Sequence, residues 1–355
     1  MRQTLTASAM RYLAVLTATV VVCLAAAFTL NALVDPLWYY SGNRFKPVNF
    51  AFNERLSKVN LIAGHENDYD CVIFGDSRVT LLPTAAIKGH KCFNFAFSAG
   101  EINEFVPFAK WLKERGLSPK LVIVGVSAGN FRKRNPTYNI PDFIKTDSDP
   151  APAYIKYLSL DVVAMSWRTL FGTTPIDRIY SRDFECLVAV TTPYDPHKPI
   201  RDLHSGPFDA REPLEQYKSL RAIYPDAEFV GYAPPISAWA IADYAKINWL
   251  ESYTKALSDA AIVFDRFIDA SVPSPITINP ANTYDGTHYS SDVNKEIAAK
   301  LFAEDVSPAL NLKSLSWSEM LESYRKRLNT YSDAIVAGEV APPDDVSPAT
   351  GLPAQ

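Results

Sequence analysis

Residues 71–83 read CVIFGDSRVTLLP. A short apolar run from Cys71 to Phe74 ends abruptly in Gly75-Asp76-Ser77, and Arg78 follows. Such a run closed by glycine has the pattern of a strand buried on both faces. Two roles are open for Ser77: a nucleophile presented at the strand tip, or a hydroxyl capping the next helix.

Outward from this stretch, strand and helix patterns alternate. Residues 92–97, CFNFAF, make a second strand pattern, and 121–126, LVIVGV, a third. Between them Ile102, Phe105, Phe108 and Leu112 recur at helical spacing within 101–115, and Gly116 stops the helix. Helix is expected over 214–223 and 239–258. Strands are expected over 228–232, ended by Pro234-Pro235, and over 261–264, AIVF. Val293, Ile297, Ala298 and Leu301 form one helical stripe within 291–302, capped by Ser290 or Ser291. The alternation predicts an α/β fold: a flavodoxin-like three-layer sandwich with a five-stranded parallel sheet. In such sheets sites form at the carboxyl ends of the strands, where Ser77 lies.

Other segments break the alternation. Residues 132–212, rich in Pro, Asp and Tyr with a helical patch near 154–170, read as an insertion between the third and fourth strands that caps the site. Residues 34–66 read as a connecting segment, 67–312 as the main domain, 313–337 as a final helix on the outside, and 338–355 as a disordered tail.

The N-terminus sets the compartment. No charged residue occurs from Tyr12 to Leu33, about the length a membrane-spanning helix needs. Arg2 and Arg11 precede it, which keeps the N-terminus cytoplasmic and exports the rest. A cleavable signal ending at Ala25-Ala26-Ala27 is the rival. The apolar run continues past those alanines, which favours an uncleaved single-pass anchor in the bacterial inner membrane, with the domain in the periplasm. The remaining composition is that of a globular chain: 355 residues, 48% hydrophobic, net charge −4. No Lys/Arg block points to nucleic acid, no Cys/His cluster has metal-ligand spacing, and no cofactor is expected. Of the four cysteines, Cys23 lies in the anchor and Cys186 has no evident partner. Cys71 and Cys92 each begin a strand pattern; they are either small core residues or, if their strands are parallel neighbours, a disulfide that an oxidising compartment permits.

A serine nucleophile needs a base, and the base an orienting group. Five histidines are available. His65 and His90 precede strands, at the wrong end of the sheet, and His197 and His204 sit in the irregular insertion. His288, in YDGTHYSSDVN (284–294), follows the fifth strand on the same edge as Ser77. Asp285, three residues earlier, can return to the imidazole Nδ1, with Gly286 supplying the turn.

With these residues in view, the chain resembles the SGNH, or GDSL-like, hydrolase superfamily. Gly75-Asp76-Ser77 matches the family's nucleophile motif, and Asp285-Gly286-Thr287-His288 its Asp-x-x-His. The resemblance covers about residues 67–305. DPLWYY (35–40) and CFNFAFSAGEINEF (92–105) also resemble membrane-anchored bacterial members, some of which accompany acylation of envelope polysaccharides. It implies Ser77, His288 and Asp285 as the catalytic triad and an oxyanion hole built on the Ser77 amide. The second donor is the amide of Ala99 or Gly100, with Gly100 preferred because glycine permits close approach. The third block departs: VIVGVSAGNF (122–131) carries Ser127-Ala128 where the family has Asn-Asp, so either Asn130, from a shifted loop, or Ser127 reaches in, or the site is a weak or specialised catalyst and Asn130 a helix cap. Arg78 either selects an anionic substrate group or pairs with a carboxylate. Tyr138, Tyr154 and Trp167 either line a sugar cleft or pack. The implied activity is a serine esterase or O-acyltransferase on acylated envelope glycans, with a membrane acyltransferase as a partner; the alternative is a non-catalytic glycan-binding or scaffold subunit.

Overall fold

A computed structural model describes residues 2–40, 42–132, 140–172, 178–188, 194–196 and 207–337. These divide into two compact units, one drawn from Met1–Leu61 and Asp149–Phe184, the other from Ile62–Ser148 and Glu185–Gln355. Residues 34–61 are therefore part of a folded unit rather than a connector, and the 132–212 segment is shared between the two units.

The second unit is α/β, built on a mixed, mostly parallel sheet. Its strands are β1 (Cys71–Phe74), β2 (Cys92–Asn94), β3 (Leu121–Gly125), β4 (Glu228–Ala233), β5 (Arg266–Asp269) and β6 (Leu310–Asn311). They lie in the order β2-β1-β3-β4-β5-β6. The first five are parallel, and β6 is an antiparallel edge. Every residue of β1 and β3 is buried, which is why both read as unbroken apolar runs. The chain steps from β1 outward to β2 and then back across to β3. The strand order therefore reverses between β1 and β3, the place where doubly wound sheets open a crevice at their carboxyl ends.

Three expectations are corrected. The AIVF run at 261–264 is not a strand. The helix Leu250–Ala261 continues into it through turns closed by Val263 N–H to Ala260 O and Phe264 N–H to Ala261 O. Four apolar residues suit a helix end as well as a strand, and Ala260 and Ala261 complete the buried stripe of Tyr253 and Leu257. The strand begins five residues later at Arg266, so the sheet gains β6 as a sixth member that is too short to leave a periodic signal. The expected 239–258 helix is two, Ala238–Lys246 and Leu250–Ala261, broken where Asn248 takes a left-handed φ of 61°.

Cys71 and Cys92 stand opposite each other in the β1–β2 register and are joined in a disulfide. Closing a loop of this 21-residue separation removes chain entropy worth about 3 kcal/mol from the unfolded state. Cys186 is a free, buried thiol.

The C-terminal helix Trp317–Thr330 does not simply lie outside. Tyr324 is fully buried, and its hydroxyl donates to Asp269 Oδ2 at 2.7 Å, at the end of β5. Ser271 donates to the same carboxylate at 2.6 Å and meets the hydroxyls of Tyr324 and Tyr253 at 2.8 and 2.7 Å. Burial pushes the Asp269 carboxyl above its ordinary range against these donors. Tyr324→Phe removes one donor from a buried acid and is expected to cost about 1.5–3 kcal/mol in urea unfolding, with the cofolded helix loosening first. An unchanged midpoint would mean that the helix is held by packing alone.

In the first unit, the helix Arg2–Val34 contains the one segment among the described residues, Ala7–Val34, long and apolar enough to cross a membrane. It ends at Asp35, whose carboxylate accepts from the amides of Tyr39, Tyr40 and Gly42 at 2.8, 3.0 and 2.7 Å, and from the Tyr157 hydroxyl. Val48–Asn49 pairs antiparallel with the strand Arg178–Ser181.

Candidate active site

The turn after β1 is held by two devices. Val79 occupies the space where side chains at Gly75 and Gly125 would stand: a Cβ would meet its Cγ2 at 2.3 and 2.0 Å respectively. Glycine at both positions lets the chain leave β1 and β3 while packing tightly around one valine at the switch point. Beside it, Asp76 Oδ2 accepts from Arg78 Nη2 and Nε at 2.8 and 3.2 Å, and Asp76 Oδ1 from the Arg78 amide at 3.0 Å. Burial opposes the Asp76 charge, but the Arg78 guanidinium outweighs it and holds the carboxyl below its ordinary range. Arg78 is thus the carboxylate partner of the two roles open to it; its Nε and Nη2 are spent on the turn rather than offered to a substrate.

No α-helix follows the turn, only a 3₁₀ turn at Val79–Leu81 whose N-cap is Arg78, without a side-chain bond. Ser77 is therefore not the cap of a following helix. Its Oγ lies 2.8 Å from His288 Nε2, across 211 residues of sequence. His288 Nδ1 lies 2.6 Å from Asp285 Oδ2.

The loop that carries this pair is tightly made. Thr283 bridges to Tyr289, the Thr283 hydroxyl donates to His288 O at 2.7 Å and accepts from the Gly286 amide at 3.0 Å, and Gly286 takes a left-handed φ of 82°. Ser237 N–H ties Gly286 O to the start of the Ala238–Lys246 helix at 2.8 Å. Asp285 Oδ1 accepts from the amides of Thr287 and His288 at 2.9 and 2.8 Å, which leaves Oδ2 for the imidazole. Ser290, the nearer of the two expected caps, starts the next helix, Ser291–Lys300. The Tyr284 ring stacks on His288, centroids 5.5 Å apart and planes 4° from parallel. An aromatic four residues before a histidine carries no sequence signal for this contact.

Burial raises the Asp285 carboxyl, but the His288 hydrogen bond and charge outweigh it, with the two loop amides adding to them, and bring it down to about 2. An ionised carboxylate only accepts, so in the neutral imidazole the proton sits on Nδ1 and Nε2 is the nitrogen that can accept from the Ser77 hydroxyl. Nucleophile, base and orienting carboxylate stand in the relation acyl transfer requires.

The other expected oxyanion residues are placed differently. Gly100 donates its amide to Phe97 O at 3.0 Å, and its lack of a side chain is explained by Gly75 O, which a Cβ would meet at 2.8 Å. Gly100 is therefore a packing glycine with a committed amide. Ala99, the other alignment, is exposed with a left-handed φ of 52°, and its amide has no partner among the described residues. Phe97 N–H to Gly75 O, 3.1 Å, holds this segment over the Ser77 turn. Asn130 Oδ1 accepts from the Ile102 amide at 3.2 Å, so Asn130 caps the start of the helix Ile102–Glu114. Ser127 is buried beside Asp76.

His65 and His90 lie near the amino end of β1, bonded to Asp68 and Asp70. His197, His204 and Tyr138 lie outside the described residues, as does the 338–355 tail. Tyr154 and Trp167 belong to the first unit. Among the described residues no group of three or more metal-ligating side chains gathers. No family model, no curated protein and no solved structure matches this chain.

Proposed function

We propose that this chain is a membrane-anchored, exported serine esterase or O-acyltransferase of the SGNH, or GDSL-like, type, acting on acyl esters of cell-envelope glycans. One observation carries the chemistry: the continuous hydrogen-bond chain Ser77–His288–Asp285 at 2.8 and 2.6 Å. Ser77 Oγ attacks the ester carbonyl while His288 Nε2 takes its proton. The tetrahedral oxyanion is held by the amides of Ser77 and Ala99. His288 returns the proton to the departing alcohol, leaving an acyl-serine. Water, or a glycan hydroxyl in transfer, then attacks the acyl carbon and gives its proton to His288, which passes it to Ser77 Oγ as the acyl–serine bond breaks. The glycan substrate and a membrane acyltransferase partner rest on the family resemblance.

The anchor is supported by the helix itself. It runs unbroken through Ala25–Ala27 into Asn31 and Val34, which are buried in the first unit, leaving no extended stretch for a signal peptidase. Arg2 and Arg11 orient it with the domain in the periplasm.

The test is covalent. A fluorophosphonate probe applied to the full chain in detergent is expected to be attacked at phosphorus by Ser77 Oγ, with fluoride leaving to solvent and the serine proton going to His288, and to label that residue alone. A folded protein that takes no label at Ser77 removes the catalytic function. The rival reading, a glycan-binding scaffold of the same type, is favoured by one feature, the commitment of Asn130 to a helix cap, and it expects that negative result.

A further inference from the structure

The helix Leu160–Phe171 in the first unit wears its polarity backwards. Its inward face carries Val162, Ser166 and Thr169. Ser166 Oγ donates to Asn31 Oδ1 at 2.7 Å, Thr169 Oγ1 donates to Asn49 Oδ1 at 3.2 Å, and Asn31 Nδ2 donates to Tyr157 O at 2.8 Å. Its outward face is Leu160, Ala164, Trp167 and Phe171, at offsets of four, seven and eleven that share one side of a helix. Leu160, Trp167 and Phe171 are 83%, 62% and 67% exposed, and the last two rings touch with centroids 4.4 Å apart. The preceding helix, Ala153–Tyr157, adds exposed Tyr154 and Ile155, and Phe45 is exposed beside Lys46, whose Nζ caps the Leu170 carbonyl. In water the stripe faces the wrong way; against lipid, polar residues inward and apolar ones outward is the expected order.

What covers it follows from its neighbour. From Ala7 to Ala26 every residue of the long helix is exposed, and from Ala27 burial begins against the 153–171 hairpin, where Phe28 meets Tyr157. The bare length is about 30 Å at 1.5 Å per residue, the thickness of a bilayer's hydrocarbon core. The two short helices pack on the first buried turns of the long helix, next to where its exposed, membrane-length segment ends. Tryptophan and other aromatics with flanking Lys156 and Arg168 suit that depth, since rings settle at the headgroup level and long basic side chains reach phosphates.

We propose that residues 153–171 form a second membrane contact, a helical hairpin seated in the headgroup–acyl boundary beside the spanning helix. This rests on the anchor role of Arg2–Val34. The consequence is a first unit held at a fixed depth and tilt rather than swinging on a single tether.

The experiment uses the full chain in liposomes of phosphatidylcholine and phosphatidylglycerol, loaded with an acyl-chain-partitioning carbene photolabel and mapped by mass spectrometry. Labelling is expected over 7–26 and at Leu160, Trp167 and Phe171, at least fivefold above the exposed face of the Arg211–Ile223 helix. Label on 7–26 but background on 160–171 overturns the hairpin and leaves the anchor standing. Background on both overturns the anchor and the hairpin with it. Protection of 160–171 together with crosslinks to a second copy overturns lipid as the occupant. As an independent measurement, the fluorescence that Trp167→Phe removes is expected to be quenched at least twofold by lipids brominated high in the acyl chain; no quenching contradicts the proposal even if the variant folds normally.

Discussion

Ser77→Ala is expected to lower the rate of p-nitrophenyl acetate hydrolysis by at least about 10⁴-fold, to the residual rate that donors and binding alone support. The substitution deletes one hydroxyl at a partly exposed turn. It leaves untouched the disulfide at the base of β1, the Asp76–Arg78 pair and the Val79 packing that shape the turn. Its effect on stability should therefore stay within about 1 kcal/mol, which separates a chemical loss from a folding loss. Wild-type turnover in the alanine variant, measured on protein with an unchanged melting curve, would refute the acyl-serine mechanism.

Asp285→Asn is expected to cost about 10⁴-fold as well, through the tautomer of its neighbour. Oδ1 of Asp285 is pinned by the amides of Thr287 and His288. An asparagine keeps those bonds only with its oxygen in that place, which sets its NH₂ where Oδ2 faced the imidazole. Nδ1 must then accept, the proton moves to Nε2, and Nε2 can no longer take the proton of Ser77. The same carboxylate sets a pH signature. Its folded value of about 2 lies below the ordinary 3.8, so its contribution to stability is complete above the ordinary value and is lost as pH falls from 3.8 toward 2. The stability difference between wild type and Asp285→Asn should be level above about pH 5 and shrink below it, read from urea unfolding at stepped pH. A variant with full activity would show that orientation of His288 comes from the Tyr284 stack instead.

Much of this was legible because it depends on short-range patterns. The runs at 71–74, 121–125 and 228–233 are apolar enough to be strands covered on both faces, and the Asp-x-x-His spacing closes locally through Thr283 and Gly286. Where the local signal is two-valued, only partners decide. AIVF closed a helix because Ala261 completes its buried stripe while Val263 and Phe264 fold into the turns that follow, and Asn130 became a cap because the Ile102 amide lies within reach. Gly100 was marked by its residue type as a site of close approach, and it is one, but to Gly75 O rather than to a ligand. Val79 left no trace at all, since its importance lies in the two glycines it packs against, one on each of two strands.

By itself the sequence determined the alternating α/β pattern, an apolar N-terminal helix, and a serine and a histidine each following a strand, because hydrophobic period and loop spacing act over a few residues. Only the tertiary structure decided that Ser77 and His288 meet, that Cys71 and Cys92 are bonded, and that Arg78 serves Asp76. It also decided that a helix from the 149–184 segment turns polar residues inward against the N-terminal one. Each of these is a contact between distant segments, chosen by sheet order and by the requirement that buried polar groups find partners, and no local pattern encodes that choice.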